Sequence, residues 1–402
     1  MAVTIFEALK IIEENIKRVT TQVIPIENAV SRISATNLYA TNALPAFDNS
    51  AMDGYALKGE FDKYKIVGKI LAGDDHTYDL NDGECVKILT GAKIPLETQS
   101  VIPQENTKIL NTYITVKKAV KPGSNIRRRG EDINEGEPVL KNGETIKAST
   151  IALLASQGIT HIDVYKKIKI AVFASGSELK LHFETLKDSQ IYNSNTPYLL
   201  ARAFELGCEG DFIGKSEDSV DSLKELIKSS LDYDIILTSG GVSVGEADYT
   251  KEAFLESGME IFFSKVEIKP GKPTTFGKIG KTLVLNLPGN PLACAVNFEI
   301  LGKFMINAIS GKKAFYHNFI NTTITKEISS KRPVSNVIAG YFDGSSFDPL
   351  QKQAPGMVNV LNRCNGIVVI DKKRDLLKRG SDVKFLPIDW NFTSERFKEF
   401  TS

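Results

Sequence analysis

Residues 239–248, Ser-Gly-Gly-Val-Ser-Val-Gly-Glu-Ala-Asp, follow a short apolar run and lead into a helical pattern. Gly240 and Gly245 have the spacing of a phosphate-binding P-loop, but Glu246 stands where that motif needs its lysine and Ala247 where it needs a hydroxyl. A glycine-rich turn can still hold an anion on successive backbone N–H groups, helped by the N-terminus of the helix that follows. The missing cation has candidates in "FFSKVEIKPGKP", where Lys265, Lys269 and Lys272 stand on or beside a stiff Pro-Gly-Lys-Pro turn. Glu246 and Asp248 would then be free for Mg²⁺, which favours carboxylates together with phosphate oxygens. Simple capping of a helix starting at Tyr249 is the default reading for an Asp at the Asp248 position.

A second polar group lies far upstream. "FDNSAMDGYAL" (47–57) places Asp48, Asn49, Ser50 and Asp53 within a few residues, "LTGAKIP" adds Thr90, and "NIRRRGED" (125–132) sets three arginines beside Glu131 and Asp132. Each stretch is also readable as an ordinary Asx turn or a solvated, self-neutralised surface. Brought over the glycine loop by a second subunit, the same residues would meet anionic ligands and metal.

The elements that must carry these groups follow from hydrophobic patterning. Residues 4–19 read as a helix, with Thr4 and Glu7 as a capping box and Ile5, Leu9, Ile12, Ile16 and Val19 on one face. From about 21 to 147 the chain is β-type, broken by turns such as "NDGE", "KPGS" and "NEGEP", and a short helix is predicted at 149–157. From 168 to 315 apolar runs alternate with helical patterns, which implies a mostly parallel sheet covered on both faces. In such a sheet ligands bind beyond the carboxyl ends of the strands. The loops expected there are "ASGSELK" (174–180), "SEDS" (216–219), the glycine loop and "LPGNP" (287–291). After about 315 the pattern is again β-type, as for a small barrel or sandwich.

Composition narrows the function classes. At 402 residues several domains are expected, and 42% hydrophobic with 25% charged residues is ordinary for a globular protein. A net charge of +1 gives no electrostatic pointer to nucleic acid. The four cysteines form no CxxC pair and the four histidines are dispersed, so no zinc-type constellation is present. No signal-peptide pattern or membrane-length apolar run occurs, and the expectation is a cytoplasmic protein without membrane or nucleic-acid partners.

"FDNSAMDGYA", "LTGAKIP", "NIRRRGED", "GGVSVGEADYTK", "IKPGKP" and "LPGNP" occur in the order found in the molybdopterin molybdenumtransferases, the MoeA-type enzymes, and the chain also resembles the E domain of gephyrin. The resemblance runs from the first helix to the C-terminal β region. It implies an elongated, multidomain α/β plus β subunit that forms a homodimer. Residues 1–20, 39–47 and 137–167 would make a helical dimerisation domain, 21–38 with 48–136 an inserted β-rich lobe, 168–315 an α/β molybdopterin-binding domain, and 316–402 a C-terminal β-barrel. The implied activity inserts molybdate into adenylylated molybdopterin, with Mg²⁺-dependent cleavage that releases AMP.

By the same resemblance the catalytic positions are Asp53, Thr90, Asp132, Glu178, Asp218, Asp248, Lys265 and Lys269. Substrate would be held by Ser239, Gly240, Gly241, Ser243, Lys269, Lys272, Pro288, Asn290 and Pro291, and Mg²⁺ by Asp248, Asp218 and Glu178. Partners implied are the molybdopterin adenylyltransferase and recipient molybdoenzymes. In the family one subunit's α/β domain meets the partner's lobe, which would account for the distance along the chain between Asp53 and Asp248. The chain departs from its relatives at Ser177, Asn193, Ala293, Pro355 and Asn359. A non-catalytic, gephyrin-like scaffold is the competing reading; it has no need for Asp53, Asp132 and Asp248 together. A P-loop hydrolase fails on Glu246 and Ala247.

Overall fold

A computed structural model describes residues 2–75, 78–118, 120–216, 219–241, 249–330 and 333–389. Its centre is a six-stranded sheet built from β1 (Lys169–Ser175), β2 (Glu209–Ser216), β3 (Ile235–Ser239), β4 (Glu260–Phe263), β5 (Thr275–Ile279) and β6 (Thr282–Leu287), in the order β2-β1-β3-β6-β5-β4. Strands β2, β1, β3 and β6 run parallel; at one edge β5 pairs antiparallel with β6, and β4 antiparallel with β5. Alternate residues of β1 enter different cores. Ile170 and Val172 pack with Leu199, Ala203 and Phe304, whereas Ala171 and Phe173 pack with Leu223, Ile227 and Phe254. Burial on both faces is why the strand reads as one continuous apolar run.

The helix over Pro291–Ile309 is apolar and 89% buried, which makes it the core helix of this body rather than a membrane span. It contains one wide turn, Phe298–Gly302. There Glu299, 1% exposed, accepts from Arg202 Nε at 2.7 Å and Nη2 at 3.0 Å and from the Tyr198 hydroxyl at 3.1 Å. This buried ion pair ties the helix Asn195–Glu205, which starts at the candidate site, to the core helix. Arg202 also reaches the Ile388 carbonyl of the C-terminal body.

The N-terminal helix spans Ile5–Asn15 with the expected capping box; the Glu7 amide donates to Thr4 Oγ1 at 3.2 Å and the Thr4 amide to Glu7 Oε2 at 2.7 Å. It stops short of 19 because Ile16 is already extended. The expected grouping of residues 1–20 with 137–167 needs correction. Ala8 and Ile12 pack into the α/β core, and Ala2–Val3 pairs in parallel with Lys265–Val266.

The expected placement of 21–38 in the lobe is corrected as well. Thr21–Pro25 pairs antiparallel with His161–Tyr165, and Ile26 and Ala29 share a core with Leu140, Leu154 and Ile162. The short helix Ala148–Ser156 belongs to this unit. The lobe itself is a six-stranded sheet, in the order Ser100–Pro103, Gly54–Leu57, Glu84–Ile88, Lys63–Ile70, Tyr113–Val116, Thr107–Leu110. In the C-terminal region, pairing of Ser335–Phe342 with both Ser346–Pro349 and Gly366–Ile370 closes a barrel. Ile268–Lys269, from the lysine-rich turn, adds to its edge beside Ser335 and Asn336.

Candidate active site

At the carboxyl ends of β1, β3 and β6 lies a cleft of about 690 Å³ lined by Ser175, Gly176 and Glu178, by Ser239, Gly240 and Gly241, and by Pro288, Asn290 and Pro291. Three of the four loops expected at this end therefore meet. The fourth carries Asp218, which lies outside the described residues, as do Ser243, Glu246, Ala247 and Asp248.

The glycine loop needs its glycines. Gly240 has φ +98° and Gly241 φ +66°, and a Cβ on them would come within 2.4 Å of the Ser175 carbonyl oxygen and 1.8 Å of Thr250 Oγ1. The Gly240 amide donates to the Leu287 carbonyl at 3.2 Å and is not free for an anion. Glu178 folds its carboxylate back over Gly176, 2.6 Å from where a Cβ there would sit. Beneath the cleft the Cys294 thiol is pushed up to about 12 by complete burial. The other three cysteines are raised by burial too, so no thiolate is available for nucleophilic work.

Asn195 is the residue that sequence reasoning missed. Its amide nitrogen donates to Ser239 Oγ at 2.6 Å and to the Gly289 carbonyl at 2.7 Å, clamping the glycine loop to the "LPGNP" loop. An asparagine at a helix start looks like a cap, and nothing in the sequence separates the two roles. The neighbouring departure, Asn193, does the capping: its Oδ1 accepts from the Thr196 amide at 3.1 Å while its Nδ2 donates to Thr196 Oγ1 at 2.8 Å. Pro355, another departure, accepts from the Leu292 amide at 2.9 Å through its backbone, a contact that any residue there supplies.

The lysines do not line this cleft. Pro273 of their turn does, but Lys265 and Lys272 are exposed, and Lys269 lines an adjoining cleft with Lys326, Asn336 and Pro355 against the barrel. The backbone of their turn is set by pairing of Lys265–Val266 with the N-terminal strand and of Ile268–Lys269 with the barrel, and most of the glycine cradle they were expected to close over lies outside the described residues.

The upstream group converges on its own. Asn49–Ser50 pairs with Ile126–Arg127, and the Ser50 amide donates to the Ala92 carbonyl of the "LTGAKIP" turn. Asp53 Oδ1 accepts from both the Thr90 amide and the Thr90 hydroxyl at 2.8 Å, and these two bonds hold its carboxyl below the usual range. Asp48 is lowered by the Arg129 amide first and then by Arg128, which pairs with it at 2.6 Å. Asp132 donates its amide to the Leu44 carbonyl and is exposed. Among the described residues no hydrogen bond or ion pair joins this cluster to the glycine cleft.

Comparison with known proteins decides the family. Residues 3–158 match the model described as the MoeA N-terminal region (domain I and II), and residues 171–308 match the probable molybdopterin binding domain. The chain is 32% identical over 344 residues to a molybdopterin molybdenumtransferase of Staphylococcus aureus, covering 81% of this chain and 82% of that one. The chain belongs to the molybdopterin molybdenumtransferase family. A molybdopterin molybdenumtransferase of Haemophilus influenzae is 32% identical over 384 residues, covering 92% of this chain and 94% of that one. A crystal structure of a molybdopterin biosynthesis MoeA protein from Pyrococcus horikosii superposes with a TM-score of 0.84 at 29% identity, covering 96% of this chain and 99% of that one. The chain is accordingly a MoeA-type enzyme with a multidomain α/β plus β fold.

Proposed function

We propose that the chain inserts molybdate into adenylylated molybdopterin, cleaving the adenylate to release AMP, in a site that combines the glycine cleft of one subunit with the lobe cluster of a second. The observation that carries this reading is the division of labour just described. The cleft offers amides, asparagines and prolines with Glu178 as its described carboxylate, and the lobe offers Asp53, Thr90 and Asp132 on an exposed surface.

In this reading the amides from Gly241 onward bind the terminal phosphate of the pterin, and Asn195 keeps the two loops at the separation that phosphate needs. Lys269 stands beside the anion's path in the adjoining cleft and attracts the molybdate dianion. The docked Asp53, held ionised by Thr90, faces the adenylate and excludes a second anion from the wrong side.

The donor set fits Mg²⁺. Among the described residues no three His, Cys, Asp or Glu form a ready-made metal cage. Glu178 is a hard oxygen donor on the cleft wall, its carboxylate without a hydrogen bond to any described residue, and Mg²⁺ is held through one or two carboxylates plus phosphate oxygens. Glu178 would hold it together with Asp218 and Asp248. When bound, the ion would supply charge neutralisation for the anionic substrate.

The test is incubation with adenylylated molybdopterin and Mg²⁺, with molybdate or tungstate, while AMP is quantified. The proposal expects AMP release that depends on the oxyanion. Release at the same rate without any oxyanion, or none with either, contradicts it.

A further inference from the structure

At the opposite end of the central sheet, about 20 Å from the glycine cleft by strand length, lies a second depression of about 540 Å³. Lys17 and Arg18 enter it from the stretch after the N-terminal helix, Lys166, Lys167 and Lys169 from the start of β1, and Lys278 and Lys281 from the β5–β6 hairpin. Against these seven cations the lining carries two carboxylates, Asp232 and Asp234. Lys167 is 4.0 Å from Glu209 and Lys278 is 3.0 Å from Glu260, and Arg18 reaches the Tyr165 hydroxyl. Lys17, Lys166, Lys169 and Lys281 are exposed and form no ion pair among the described residues, in a chain whose net charge is only +1. Like-charged groups gathered from three separate segments repel one another and need a reason.

We propose that this depression docks an acidic segment of a partner protein. A compact phosphate is a poor fit. The helices reaching this end present their C-termini, at Ile16 and Ser310, so no N–H-rich helix start is offered to cradle a phosphate. Only one of the seven cations is an arginine, so the forked geometry that grips one phosphate is largely missing. A nucleic acid fits less well, because no aromatic side chain lines the depression for bases to stack on. Flexible lysines distributed around an open rim match carboxylates distributed along a peptide. Such a contact steers encounter and leaves the catalytic cleft open at the far end of the sheet. A protein that supplies the substrate or takes the product would be held without blocking its passage.

The probe is a fluorescein-labelled oligoglutamate of about ten residues, added to the full-length protein at low salt and followed by anisotropy. Inorganic pyrophosphate serves as competitor, and a labelled oligothymidylate of equal length as the nucleic-acid arm. The triple variant Lys166→Glu/Lys169→Glu/Lys281→Glu is compared with a lobe control, Lys108→Glu/Lys118→Glu/Lys121→Glu. The proposal expects salt-sensitive binding weakened on the order of tenfold or more by the first variant and little by the second, with AMP release unchanged in both. Equal binding by both variants overturns it, as does tighter binding of the oligothymidylate or ready displacement by pyrophosphate. A self-association of the wild-type chain that disappears in the first variant also overturns it, since the occupant would then be a second copy.

Discussion

The lobe cluster and the glycine cleft solve opposite problems. In the lobe, Asp53 and Thr90 are exposed and anchored by two hydrogen bonds to each other, with no packing over them. In the cleft, Ser239 and Asn195 are buried, the loops are locked by left-handed glycines, and the supporting helix is pinned by the Arg202–Glu299 pair. The lobe thus carries charge that is cheap to alter structurally, whereas the cleft carries shape that is not. Substitution should therefore separate catalysis from stability in one region and couple them in the other.

The largest expected effect is at Asp53. Asp53→Asn should lower molybdate-dependent AMP release by about 100- to 1,000-fold, the scale for losing one preorganised electrostatic group. Thermal unfolding should stay within about 0.5 kcal/mol of wild type, as for an exposed substitution. A marked loss of stability would break the comparison. Gly241→Ala comes next, with both properties affected. The new Cβ meets Thr250 Oγ1 at 1.8 Å in a left-handed backbone, and a stability loss of about 1–3 kcal/mol should accompany the loss of turnover. Full stability in urea titration would show that the loop is not the rigid cradle described.

Asn195→Ala should act through position. The Gly289 carbonyl and Ser239 hydroxyl lose their shared donor, at a cost of about 1–3 kcal/mol, and the KM for adenylylated molybdopterin should rise more than kcat falls. An effect on kcat alone would assign Asn195 to the chemistry.

The smallest effect is in pH. His317, packed against Phe304 of the core helix, donates Nε2–H to the Ile300 carbonyl, and burial lowers its pKa below 6.5. The folded protein resists a proton that the unfolded chain accepts near 6.5. Its stabilising contribution is present above that pH and is lost as pH falls from 6.5 towards the lower, folded value. The lobe carboxylates Asp48 and Asp53 are also shifted down, below 3.8, and stay charged over this range. Melting temperatures at pH 7 and 5.5 should therefore diverge less in His317→Gln than in wild type, and should not respond to Asp53→Asn.

Much of this was readable from residue order, for physical reasons. The Thr4–Glu7 capping box, the doubly buried strands and the convergence of three loops at the sheet's carboxyl edge follow from local chemistry and from the geometry of parallel sheets. The partition of the β-type regions was not readable. Thr21–Pro25 finds its partner at His161–Tyr165, and a β pattern alone does not say which distant strand it joins. The backbone course of the lysine-rich turn was not readable for a related reason, since it is set by pairing with the N-terminal strand and the barrel edge. Asn195 carries no signal beyond that of a helix cap.

The shared site is tested most directly by mixing two inactive proteins, Asp53→Asn and Glu178→Gln, under conditions of proven subunit exchange. If lobe and cleft come from different subunits, each mixed dimer contains one site with both residues intact. AMP release should then recover to about a quarter of wild type for random exchange in a twofold dimer. If the mixture stays as inactive as its parents, each site is built within one chain and the account is wrong.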